Sequence, residues 1–495
     1  MNKSKTLGDL KKSHYPMKTV KAELRDNLIH RLKENENIFK GIIGYDKTVI
    51  PHLQNAILSQ HDFILLGLRG QAKTRLIRSL IHLLDNEVPV IAGSPVNEHP
   101  YHPISKYGRQ MLDEYGDEMK IDWLPRESRY KEKLATPDVT MADMIGDIDP
   151  IKAANRRLEY ADEEVIHFGL IPRSNRGIFA INELPDLQAR IQVGLLNILE
   201  EKDIQIRGFP LRIPMDILMV FTANPEDYTN RGNIITPLKD RINSQILTHY
   251  PQDVKESIQI TEQESWVQRD EPFEVPQIFK ELVEEIAFEA RDCEFVDQSS
   301  GVSARMSISI MENLISNGER RKILLGEKDL SLRICDLFNT TPSITGKLEL
   351  VYEGEKEGAP TVAKYLIGKA VKKLFQKYFP DPFKLEFEED PRSTFYRKIT
   401  GWFEKHNAIH ISDEDPFDTY FKELDKVPTL KDVVSKHYEA QDNFELSTMM
   451  ELLLEGLHQN SMISKKDLKA QTTYKEMLSL VYDRARKKGF GEDYF

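Results

Sequence analysis

The sequence predicts an α/β fold: a parallel sheet flanked by helices, followed by a long helical region. Three observations carry this expectation. Short apolar runs alternate with amphipathic stretches between residues 40 and 250, the pattern of strands covered on both faces. One such run, Phe63–Leu66, feeds a glycine-containing turn that opens onto the helical pattern Arg75-Leu76-Ile77-Arg78-Ser79-Leu80-Ile81. Beyond Gln252 the apolar spacing changes to the helical period and largely keeps it.

Residues 1–35 are polar and charged and read as a loose arm followed by a helix, Glu23 to Glu34. The expected strands of the α/β region, 36–252, are Phe63–Leu66, Val88–Ile91, Gly177–Ile181, Ile217–Thr222 and Ile246–His249. A long insertion at about 94–164, rich in Pro, Tyr, His and charge, interrupts them; such insertions tend to be functional or mobile. A helical region follows at 253–378, with Phe279–Ala290 and Ala304–Ser316 as clear helices. The break at Phe379-Pro380-Asp381-Pro382 leads to a helical extension at 392–495, in which Met449–Leu457 and Tyr474–Lys488 are the clearest stretches.

Composition narrows the class. The 495 residues exceed one core, 40% are apolar and 30% charged, as in a globular protein with long surface helices. Lys and Arg total 68 against 80 Asp and Glu, a net charge of −12, which argues against broad nucleic-acid binding. Cys293 and Cys335 stand far apart with no metal-ligand spacing, which suits a reduced, cytoplasmic setting. No run approaches the ~18 apolar residues of a membrane span, and Met1–Lys5 lacks the apolar character of a signal peptide.

The chemistry concentrates in Gly67-Leu68-Arg69-Gly70-Gln71-Ala72-Lys73-Thr74, which matches a phosphate-binding loop in its strand–loop–helix setting. Backbone N–H groups from Gly67, Gly70, Gln71, Ala72 and Arg75 would cradle phosphates. Lys73 would reach the terminal phosphates, and the Thr74 hydroxyl would ligate Mg²⁺. Ala72 stands where the pattern has Gly, tolerable if its φ is negative. Gly177–Glu183 is an apolar strand ending in a polar pair: Glu183 fits the residue that polarises an attacking water, and Asn182 takes an uncharged metal-positioning place. A further buried strand, Asp216–Thr222, leads to Asn224, suited to fixing that water. Arg241 closes the α/β region in Pro237-Leu238-Lys239-Asp240-Arg241. His99, His102 and Glu98 are too loosely spaced to argue for a metal, and Trp123, Trp266 and Trp402 read as packing residues.

Taken in order, these motifs resemble the AAA+ ATPases, and more narrowly the branch of MoxR-type proteins and the magnesium chelatase ATPase subunit. The resemblance spans about residues 35–375 and also draws on Phe168-Gly169-Leu170-Ile171, Asn175-Arg176-Gly177 and Gly301-Val302-Ser303-Ala304-Arg305. It implies a P-loop AAA+ core, an α-helical lid at 253–378, ATP and Mg²⁺ as ligands, and Mg-dependent ATP hydrolysis. It assigns Asn182-Glu183 to Walker B, Asn224 to sensor 1, Arg241 to the arginine finger of a neighbouring site and Arg305 to sensor 2. It further implies a hexameric ring that remodels or activates a protein partner, often one with a von Willebrand A domain, and a pore-side hairpin at 203–213. Asn182 departs from the family's Asp. Three alternatives stand beside this reading: a chelatase ATPase subunit proper, a sigma-54-activator-like ATPase, for which neither the Gly-Ala-Phe-Thr-Gly-Ala loop nor a basic recognition helix is present, and a nucleotide-gated scaffold with little turnover.

Overall fold

In the computed structural model, the described residues are 3–149, 163–206, 212–225, 233–267, 269, 273–382, 393–405, 407–468 and 471–475. The chain divides into two compact units, Met1–Tyr250 and Pro251–Phe495.

The first unit is built on a five-stranded sheet: β1 (Phe63–Leu66), β2 (Tyr130–Leu134), β3 (Gly177–Asn182), β4 (Ile217–Ala223) and β5 (Ser244–Leu247), in the order β5-β1-β4-β3-β2. Every neighbouring pair is parallel. The apolar runs of β1, β3 and β4 are continuous because both faces are covered. Phe63, Leu65, Ile178, Ala180, Leu218 and Val220 face one core, with Leu24, Leu28 and Leu53. Ile64, Leu66, Phe179, Ile181, Met219 and Phe221 face the other, with Leu184, Ile191, Leu195 and Ile198.

Two strand expectations are corrected: the strand expected at Ile246–His249 runs Ser244–Leu247, and the one at Val88–Ile91 is placed elsewhere. Val88–Ile91 is a strand but lies outside the central sheet, where it pairs antiparallel with Ile121–Pro125. The edge position beside β3 belongs to β2, which comes from within the expected insertion. Tyr130-Lys131-Glu132-Lys133-Leu134 is an edge strand whose side chains are half-buried to exposed, so it shows no apolar run. The loose arm is also corrected. Leu7 and Leu10 are buried, the Leu7 N–H donates to Met119 O at 2.9 Å, and the Trp123 indole N–H donates to Ser4 O at 2.9 Å. The next helix runs Val20–Lys33, with the Thr19 hydroxyl capping its start.

The second unit is mainly helical. Helices Gln277–Arg291, Arg305–Leu325, Ala359–Tyr378 and Asn443–Gln459 share one apolar core that runs from Val275 to Tyr474, so segments on both sides of the break at Phe379 pack as one body. The C-terminal stretch is not wholly helical: Ile409–Ser412, Gln471–Lys475 and Ser464–Leu468 form a three-stranded antiparallel sheet. Tyr474, expected at the start of a helix, lies in a strand, and residues 476–488 of that expected helix fall outside the described residues.

Candidate nucleotide site

The register brings the expected motifs to one edge. Leu66 at the end of β1 stands beside Ala223 at the end of β4, and Phe221 stands beside Ile181. The loop after β1, Asn224 after β4 and the Asn182-Glu183 pair after β3 therefore emerge side by side at the carboxyl ends of parallel strands. In open α/β sheets this is the ligand-binding edge. Asn224 follows β4, which lies between β1 and the Glu-bearing β3.

The loop is braced from below. Gly67 N–H donates to Ala223 O at 3.1 Å. A Cβ at Gly67 would collide with Thr248 Oγ1 and Gln71 Oε1, which are hydrogen-bonded to each other at 2.7 Å. Tyr45 Oη donates to Gln71 O at 3.0 Å and lies 2.8 Å from His249 O, and Tyr250 Oη donates to Arg69 O at 2.8 Å. Burial pushes the Tyr45 phenol well above its ordinary range, so it stays a neutral donor. Gly70 is left-handed, at φ 75°. Ala72 is also left-handed, at φ 54°, against the negative φ expected of it. For a residue with a Cβ this costs about 1–2 kcal/mol, and it turns the chain into the helix Lys73–Ser79. Lys73 is buried, its ammonium held inside the loop by the carbonyls of Gly67 and Leu68. Thr74 is half-buried and Arg75 exposed.

Opposite the loop, Thr222 joins the other two strands. Its hydroxyl donates to Asn182 Oδ1 at 3.3 Å and accepts from Glu183 N–H at 3.1 Å. Glu183 is left-handed, at φ 56° and ψ 50°, a strained backbone of the kind that gathers at functional sites. Asn224 Oδ1 is buried with no hydrogen-bond partner among the described residues, an arrangement that costs about 1–3 kcal/mol unless a ligand or water completes it.

The two arginines are placed separately. Arg241 ends the helix Thr236–Arg241 and pairs with Glu200, with Nη2–Oε2 at 2.5 Å, while its Nη1 donates to Pro237 O at 2.9 Å. Arg305 begins the helix Arg305–Leu325 in the second unit and is exposed. The turn at Gly208-Phe209-Pro210 lies outside the described residues; the strands Asp203–Gln205 and Arg212–Pro214 on either side of it are paired antiparallel. Glu98 is a loop staple, accepting from Ile104 N–H at 2.5 Å and Ser105 N–H at 2.9 Å. Among the described residues no group of three His, Cys, Asp or Glu side chains could hold a metal ion, and no helix is long and apolar enough to cross a membrane.

The sequence reading missed Thr222, Thr248, Tyr45 and Tyr250. Thr222 lies inside the strand run read as apolar, where its neighbour Ala223-Asn224 was the only signal. Tyr45 and the pair Thr248–Tyr250 meet the loop only through folding.

A scan against protein-family models finds none that matches. The chain is 25% identical over 208 residues to a magnesium-chelatase subunit ChlI of Nephroselmis olivacea, covering 41% of this chain and 54% of that protein. It is 26% identical over 261 residues to a magnesium-chelatase subunit ChlI homolog of Methanocaldococcus jannaschii, covering 50% and 63%. The chain thus spans little more than half the length of these curated relatives. Among solved structures, a chain of the magnesium-chelatase BchI–BchD complex aligns at 18% identity and TM-score 0.34, over 64% of this chain and 98% of that one. NtrX from Brucella abortus with ATP aligns at 14% identity and TM-score 0.37, over 72% and 69%. The sheet order and the ligand edge fit an α/β P-loop core of AAA+ type, and the second unit is mainly helical. The chain's curated relatives are magnesium-chelatase subunits, to which it is similar over about half of its own length.

Proposed function

We propose that this protein is a Mg-dependent ATP phosphohydrolase of MoxR/magnesium-chelatase type, working as a ring and coupling turnover to remodelling or activation of a protein partner. The observation that carries the reading is the shared edge. Lys73, Asn224 and the Asn182-Glu183 pair converge there from three adjacent parallel strands. The orphaned Asn224 Oδ1 fits a site completed by ligand or water.

Each residue has a distinct task. Gly67, Gly70, Gln71, Ala72 and Arg75 present loop N–H groups to the phosphates of ATP, and Lys73 supplies the positive charge at the bond to be broken. Mg²⁺, held by the Thr74 hydroxyl and approached by Asn182, would neutralise phosphate charge; a hard cation that keeps most of its waters suits these few oxygen donors. Glu183 polarises the attacking water, and Asn224 holds that water in line. Arg241, exchanging Glu200 for a neighbour's terminal phosphate, stabilises charge that the loop cannot reach. Arg305 and the 253–378 lid sense the nucleotide, and the 392–495 extension acts with the lid. The partner carries a von Willebrand A domain, and the setting is the cytoplasm. A second reading, a nucleotide-gated scaffold, draws on Asn182, whose amide lacks the charge that would hold Mg²⁺ tightly.

Mg²⁺-dependent ATP turnover of the wild type beside Glu183→Gln tests the reading. The expected result is turnover that falls at least about 100-fold in the variant, with ATP affinity retained. ATP bound but left intact by both proteins, with and without candidate partners, selects the scaffold.

A further inference from the structure

At the amino ends of β3 and β4, the edge opposite the nucleotide loop, the first unit holds a cavity of about 480 Å³. That volume suits a small organic molecule. Its wall includes Met17, His99, Ile104, Arg176 and Met215.

Two groups in the wall are buried without the partners their chemistry calls for. Arg176 is 6% exposed and makes no ion pair among the described residues. Among the described residues its guanidinium donates to Pro89 O alone. The nearby Asp216 carboxylate is occupied instead by the Val20 N–H, at 2.9 and 3.1 Å. Burial, and the neighbouring Arg129 charge, lower the Arg176 pKa to about 10, while burial raises Asp216 to about 6. Arg129 itself is satisfied by Glu23, at 2.7 and 2.6 Å, so Glu23 is not free to serve Arg176. His99 is 5% exposed. Its Nδ1 accepts from Tyr101 N–H at 3.0 Å, which puts the ring proton on Nε2. Nε2 is buried with no partner among the described residues. Burial and the Arg176 charge lower the His99 pKa to about 3, so at neutral pH the ring is an uncharged donor. Lys18 and Lys202 add positive charge at the rim, although each is paired, with Asp26 at 2.5 Å and with Asp62 at 3.0 Å. Glu201 and Asp216 are the acidic groups that face them.

A buried guanidinium with one carbonyl acceptor and no counter-ion, beside a buried N–H with no acceptor among the described residues, is costly alone and favourable with a bound anion. We propose that this cavity binds a small organic anion, a carboxylate or phosphate monoester on a compact apolar body. The charge rests on Arg176 and His99, and the body rests against Met17, Ile104 and Met215. The site is separate from the nucleotide edge and does not depend on turnover there.

Calorimetric titration of the full chain with benzoate, phenyl phosphate and the neutral benzyl alcohol tests this. At least one anion should bind with one-to-one stoichiometry, about tenfold or more tighter than the alcohol, and the tighter of the two identifies the charged group. Met17 is 58% exposed at the rim, so Met17→Trp should leave the thermal midpoint unchanged and cut anion affinity about tenfold. Arg176→Lys and His99→Phe should weaken it while leaving the alcohol's binding unmoved. No saturable binding of either anion, equal binding of anion and alcohol, or affinity indifferent to Met17→Trp would overturn the proposal.

Discussion

Thr222 makes a site out of two strand ends. By giving its proton to Asn182 Oδ1 and accepting the Glu183 N–H, it orients the Asn182 amide and holds Glu183 in its left-handed conformation. The unusual residue here is Asn182, whose neutral oxygen attracts Mg²⁺ less than a carboxylate would. If Asn182 limits the metal, Asn182→Asp should lower the Mg²⁺ concentration for half-maximal ATP turnover by roughly tenfold, about 1.4 kcal/mol of added attraction. The protein fold should be unaffected, because the Thr222 hydroxyl donates equally well to a carboxylate. A magnesium titration at saturating ATP reads this directly, and an unchanged midpoint would remove Asn182 from the metal site. Ala72 shows the limit of motif reading at this scale. The residue is visible in the sequence, but its φ of 54° is imposed by the braced loop around it.

At the scale of elements, the helix Asn443–Gln459 carries the most consequential buried charge. Glu451 accepts from Ile334 N–H at 2.8 Å, Cys335 N–H at 3.0 Å and Tyr420 Oη at 2.7 Å. Around it stand the Arg321–Asp336 pair at 2.6 Å and the Lys465–Glu455 pair at 3.0 Å, with the Arg333 guanidinium 4.3 Å from the Tyr420 ring centroid. Burial raises the Glu451 pKa to about 7. Below about pH 4.5 the carboxyl is protonated in both folded and unfolded chains, and its contribution is fully present. Between about 4.5 and 7 the unfolded chain ionises first, so stability falls as pH rises, by about 3 kcal/mol across the window. Glu451→Gln should flatten this decline, which urea unfolding of the full chain at pH 5 and pH 8 measures as a smaller difference between the two midpoints. An equal difference in wild type and variant would show that Glu451 does not titrate in that window.

At the scale of the whole molecule, ring formation decides whether Arg241 is a finger. Within one chain its guanidinium is tied to Glu200 and Pro237 O, a contact that a neighbour's phosphate could replace. Arg241→Ala should keep ATP binding and lose turnover by about 10³-fold or more. Mixing it with Lys73→Ala should restore part of the rate, because each intact finger then serves a neighbouring intact loop. Turnover of the mixture no higher than of either variant alone would show that Arg241 does not act in trans.

The motifs of the nucleotide edge were legible because each is contiguous: Gly67–Thr74, Asn182-Glu183 and Asn224 sit at the ends of apolar runs whose burial writes itself into the sequence. That pattern determined the α/β class, the principal strands β1, β3 and β4, the presence of β5 two residues off its bounds, and the residues of the loop. Only the tertiary structure decided that Tyr130–Leu134 completes the sheet, since an edge strand half open to solvent needs no apolar run. Folding also decided that segments before and after Phe379 share one core, that Tyr45, Thr248 and Tyr250 brace the loop, and that Met17, His99 and Arg176 meet around a cavity. Local sequence carries propensity and periodicity, which act over a few residues. Contacts between distant segments depend on how their surfaces fit, and nothing short of the packed chain specifies that.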